Sequence, residues 1–175
     1  MLSVCNTNKQ LINNDLNKYQ TYAIECITNL NSNNTQDKLK LLITKMDKSE
    51  QVNIYGHGKS YNNGRDLSNL LLKSNINAVC PDYETLDTVV KNTNSKSLSI
   101  IITESGNTKV MLDIVKQLYS NNNDFFIFTT NKKLSAKYKD TILLPTNETK
   151  EINLNVMQIN LNIVFAYIIS NLGNL

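Results

Sequence analysis

Arginine is all but missing from this chain. Arg65 is the single one in 175 residues, so a bound anion must be held by donors other than a guanidinium fork. Histidine is as scarce, with His57 alone. The three cysteines, Cys5, Cys26 and Cys80, form no CxxC pair and, with one histidine, show no metal-ligand spacing, so no metal is expected. Their odd number suits a reducing compartment better than a disulfide framework. No Ser/His/Asp set is readable. Residues 1–6 lack the charged and apolar regions of a leader, and the most apolar stretch, 163–169, falls far short of the roughly 20 residues that span a bilayer. The formal charge of +3 comes from scattered lysines, without the basic stripe of a nucleic-acid reader. These absences predict a cytoplasmic chain with no membrane partner and no cofactor. DNA is expected as a partner only through a separate domain.

Asparagine is abundant, in clusters such as 31–34 and 121–123, which reads as codon bias and marks loops, because asparagine tolerates turns. There is no internal repeat and no Pro/Gly/Ser-rich linker, so residues 1–175 are expected to form a single domain. Two helices are expected first, within residues 1–48. From Leu11 to Leu30 apolar residues recur at steps of three and four. After the asparagines Thr35 is the expected N-cap of a second helix ending near Lys48.

From residue 49 onward short apolar runs alternate with amphipathic segments. Val52–Tyr55, Asn77–Cys80, Leu98–Ile102, Asp124–Thr129 and Thr141–Leu144 read as strands, and a long closing helix is expected from about Glu151 to Leu172. Ile100, Ile101 and Ile102 are consecutive and β-branched, as in a strand covered on both faces. Five strands alternating with helices predict an α/β fold with a doubly wound parallel sheet, helices on both faces and an N-terminal helical arm. The flavodoxin-like order 2-1-3-4-5 is the commonest solution for five strands.

That order opens a crevice at the carboxyl ends of strands 1 and 3, which connect in opposite directions. The two turns richest in Gly, Ser and Thr fall there: Gly56-His57-Gly58-Lys59-Ser60 and Thr103-Glu104-Ser105-Gly106-Asn107-Thr108. Gly56, Gly58 and Gly106 are expected at positive φ, where backbone comes close to an anion. Each turn opens a helix whose free N–H groups favour an oxyanion, with Ser105 expected to serve also as a cap. Ser60, Thr103, Ser105 and Thr108 add neutral donors. Taken one at a time, such turns are ordinary N-caps. Their meeting at the switch point is what points to a phosphate.

On these residues the chain resembles the sugar isomerase (SIS) domain family. The resemblance extends through Thr129-Thr130-Asn131, Lys133-Leu134-Ser135-Ala136, and Asp140 leading into Leu143-Leu144-Pro145, over about residues 35–172. It implies a sugar phosphate ligand held by Gly58, Lys59, Ser60, Thr103, Ser105, Gly106, Asn107 and Thr108, and self-association as a homodimer or tetramer. Thr103 stands where the family usually has Ser, and Glu104 where a neutral or basic residue is commoner. The stretches Ile54-Tyr55-Gly56, Lys59-Ser60-Tyr61 and Ser105-Gly106-Asn107-Thr108-Lys109 look most like the effector-sensing SIS domain of RpiR-type transcriptional regulators. In those a separate helix-turn-helix domain binds DNA. The alternative is a phosphosugar aldose–ketose isomerase, which needs a base and an acid beside C1 and C2. Candidates are His57 and Glu151, with Glu148 behind them. No glutamate stands near Met157-Gln158, where the resemblance places the isomerases' catalytic one.

Overall fold

The computed structural model describes residues 32–146 and 156–173, together with 17, 20, 21, 23–25, 28 and 30. Residues 23–25 are helical, within the stretch expected as the first helix. The elements that follow are α1 (Asn33–Lys48), β1 (Gln51–Gly56), α2 (Lys59–Lys73), β2 (Ala78–Val79), α3 (Leu86–Asn92), β3 (Ser97–Ile102), α4 (Lys109–Ser120), β4 (Asp124–Thr129), α5 (Lys132–Lys137), β5 (Thr141–Leu143) and α6 (Val156–Asn171).

The strands form one parallel sheet in the order β2-β1-β3-β4-β5, the expected arrangement. Its two faces are read directly from the strand sequences. Along β3, Leu98, Ile100 and Ile102 face the larger core with α1, α2 and α6, while Ile101 faces a second core with α3, α4 and α5. In β4 Phe126 and Phe128 take the first side and Ile127 the other. A strand with a helix layer on both sides buries side chains on both faces, which is why Ile100–Ile102 and Phe125–Phe128 run apolar without a break, although β3 also buries Ser97 and Ser99. All of β3 is buried.

α1 contributes Leu42, Ile43 and Met46, all fully buried, to the larger core. Its cap differs from the expectation. Ser32, not Thr35, is the N-cap: its Oγ accepts from the Thr35 N–H, and Asn33 and Asn34 are already helical. Ser outranks Thr at this position, so the helix starts as soon as a serine permits. β2 is shorter than expected, two residues, because Pro81 follows and it pairs only with β1. α6 buries Met157, Leu161, Val164, Phe165 and Ile168 and half-buries Ile159, Ile163, Tyr167 and Ile169, as its all-round apolar sequence requires. The expected start of that helix at Glu151 lies outside the described residues.

Candidate functional site

β1 and β3 are direct neighbours, with Gly56 opposite Ile102, so the turns leaving them emerge side by side. From β1 the chain turns into α2 on one face of the sheet; from β3 it turns into α4 on the other. A cleft of about 440 Å³ lies where they part. Of the residues expected there, Lys59, Ser60, Thr103, Ser105 and Thr108 line it, and so do His57 and Glu104. Gly58, Gly106 and Asn107 do not line the cleft; they shape the turns behind it. Glu151 and Glu148 lie outside the described residues.

The glycine reading needs one correction. Gly58 and Gly106 have φ of 59° and 63°, but Gly56 does not have positive φ. Gly56 is required by space instead: a Cβ there would collide with the Ser60 carbonyl, because α2 begins directly over the end of β1. Ser105 is also not the helix cap. That position belongs to Thr108, and the Ser105 hydroxyl instead accepts from the Asn107 N–H at 3.3 Å.

The second turn is anchored from behind. The Glu104 carbonyl accepts from the Thr130 N–H (3.2 Å), the Thr130 hydroxyl (2.7 Å) and the Thr129 hydroxyl (3.2 Å). The Ser105 carbonyl accepts from Asn131 Nδ2 at 2.6 Å. Both carbonyls are therefore turned toward the end of β4. Among the described residues, the N–H groups of Ser105, Gly106 and Thr108 donate to no protein acceptor, and no protein group bonds the hydroxyls of Ser60, Thr103 or Thr108. Ser60 and Thr103 are buried as residues, yet their hydroxyls line the cleft and are open to it, so they are donors that a bound ligand can take up.

The two helices that open here contrast with others in the chain. α1 and α5 are capped by the side chains of Ser32 and Asn131, whereas α2 and α4 start on Gly58 and Thr108 with no side-chain cap, as does α3 on Thr85, which does not line the cleft. An anion placed between two uncapped N-termini meets free N–H groups and the positive ends of two helix dipoles.

Thr130 and Met111 also line the cleft and were not expected there. Thr130 carries a readable signal, a hydroxyl at the end of the strand next to β3; Met111 carries none, being one apolar residue of an amphipathic helix. Among the described residues no three His, Cys, Asp or Glu side chains gather to hold a metal ion, and no helix is long and apolar enough to cross a membrane.

A parallel sheet of this order, with a hydroxyl-lined cleft at its switch point, defines a doubly wound α/β domain of the ligand-binding class. Within that class the chain belongs to the SIS domain family, whose profile matches residues 45–169. No curated protein matches it at a significant level.

Solved structures share its fold. NanR of Vibrio vulnificus, complexed with ManNAc-6P, superposes with a TM-score of 0.76 at 14% identity, over 90% of this chain and 61% of NanR. The chain thus spans less than two thirds of that protein. A hypothetical protein of Methanococcus jannaschii, for which a function of 3-hexulose-6-phosphate isomerase was inferred, gives 0.68 at 21% identity over 91% of each chain. The sugar isomerase domain of an RpiR transcription factor from Sphaerobacter thermophilus gives 0.68 at 13% identity over 87% of this chain and 88% of that one.

Proposed function

We propose that this chain is a phosphosugar-binding module that senses an effector, of the kind found in RpiR-type regulators. One observation carries the reading: the unpartnered hydroxyls of Ser60, Thr103 and Thr108 line one cleft together with Ser105, between two uncapped helix N-termini. A phosphate monoester dianion accepts several hydrogen bonds at once, and this cleft supplies neutral donors in number without an arginine. The same kind of ligand, a sugar phosphate, is held by NanR in its complex with ManNAc-6P.

Sensing is favoured over turnover by the state of the one histidine. Its side chain is exposed and makes no hydrogen bond among the described residues. A general base works when a second group fixes its tautomer and aim, and nothing described does that for His57. The isomerase reading keeps one observation in its favour, that His57 and Glu104 both line the cleft.

Calorimetric titration with a panel of C5–C7 sugar phosphates tests both readings. Saturable binding is expected, weakened about tenfold or more in Ser105→Ala and Ser60→Ala, with no aldose–ketose exchange seen by NMR. Exchange that disappears in His57→Ala would establish the enzyme instead. Affinity indifferent to Ser105→Ala and Ser60→Ala would place the phosphate elsewhere.

A further inference from the structure

We infer that the ligand carries a second anionic group, bound in a groove on the far side of Thr130. This inference rests on the phosphosugar reading and extends it. The groove, about 350 Å³, runs between α1, α5 and β5, and Thr130 lines both it and the cleft. Its walls include Lys38, Lys132, Thr35, Ser135 and Thr146, and no carboxylate lines it among the described residues. The Lys38 cation and several hydroxyls, with no acidic side chain among the described lining residues, make a surface suited to an anion.

Lys38 is held in place rather than free to wander. It is half-buried, and its ammonium donates to the Thr141 carbonyl at 2.8 Å. That bond occupies one of its three donors, and among the described residues Lys38 has no ion-pair partner. A half-buried ammonium fixed on a carbonyl, with donors to spare, is a positioned charge without a counterion. Thr130 sits between the two sites with its hydroxyl fixed on the Glu104 carbonyl.

The distance fits one ligand. The cleft lies at the ends of β1 and β3, and β5 is two strands beyond β3, about 10 Å away at the usual strand spacing. An open-chain six-carbon sugar with a charged group at each end covers that span. The class is therefore a doubly anionic phosphosugar, a phosphorylated sugar acid or a bisphosphate. A sugar with one phosphate would leave the groove empty.

Titration of the whole chain with 6-phosphogluconate and fructose 1,6-bisphosphate, against glucose 6-phosphate and fructose 6-phosphate, tests this. The doubly charged ligands are expected to bind about tenfold more tightly. Lys38→Met should remove that advantage while leaving the singly charged ligands unchanged, which also shows that the variant folds; Lys132→Met serves as an independent second variant. Ser105→Ala should weaken both classes. Equal affinity for the two classes, or an advantage that survives both lysine variants, overturns the second-anion inference while Ser105-dependent binding keeps the phosphosugar reading. If no sugar phosphate binds, or if Ser105→Ala weakens none, the phosphosugar reading falls and the inference falls with it. Stimulation by inorganic phosphate added to a singly charged sugar, in place of a doubly charged one, would mean two separate ligands and also overturn it.

Discussion

At the scale of single residues, the glycines of the two turns separate conformation from space. Gly58 and Gly106 share a positive φ, yet a Cβ at Gly58 meets nothing within 4 Å, while at Gly106 it lies 2.5 Å from Leu134 Cδ1 and 2.9 Å from Asn131 Cβ. Gly58→Ala should therefore cost about 1–2 kcal/mol, the strain of a backbone conformation (φ 59°, ψ −123°) that glycine alone adopts readily. Gly106→Ala should cost about 2–4 kcal/mol, because overpacking against α5 is added. Chemical denaturation of the two variants checks the difference; equal losses would mean that the turn yields. The hydroxyls around these glycines were legible because two turns rich in Gly, Ser and Thr fall together at the carboxyl ends of the strands flanking the switch point. Met111 was not legible, since its sequence position marks only a helix face and its place in the cleft depends on how α4 is rolled against the sheet.

Among elements, the short helix α5 ties the end of β4 to the phosphate-binding turn. Asn131 does two things: its Oδ1 accepts from the Lys133 and Leu134 N–H groups, capping α5, and its Nδ2 donates to the Ser105 carbonyl. Asn131→Ala should lose about 1–2 kcal/mol of stability and also weaken sugar phosphate binding. Asn131→Ser separates the roles, because serine caps as well as asparagine but is too short to reach the turn. It should restore most of the stability and still bind weakly. Binding like the unsubstituted chain in Asn131→Ser would show that the tether does not matter for the site. Neither α5 nor this tether could be read from the chain, since six residues give too little periodicity and a bond across 26 residues has no local signature. The N-terminus of α1 was misplaced for a related reason: in a row of Asn, Ser and Thr, several residues can cap, and packing of Leu39, Leu42 and Ile43 on the sheet selects Ser32.

For the molecule as a whole, two weak acids withdrawn from water, the buried Tyr55 and the half-buried Cys80, contribute to the response to alkaline pH. Burial pushes the Cys80 thiol from 9.0 up to about 11, with Arg65 opposing, and burial also raises the Tyr55 phenol, with its hydrogen bond to the Thr93 hydroxyl opposing. A raised value means that the folded state holds the proton more tightly than the unfolded one. Their contribution is complete below about pH 9, and it fades as pH climbs through 9 to 11. Urea midpoints should fall between pH 8.5 and 10.5, and Cys80→Ala should reduce that fall. A midpoint that rises over this range would contradict the assignment.

The sequence by itself determined the alternation of strands and helices, the two-faced burial of β3 and β4, and the two turns that carry the hydroxyls, because each depends on neighbours within a few residues. Tertiary structure decided which N–H groups and hydroxyls go unpartnered, which glycine is needed for room, and that Thr130 stands between a cleft and a lysine-lined groove. Those facts arise where segments far apart in the chain come into contact, and no local pattern encodes the distance between them.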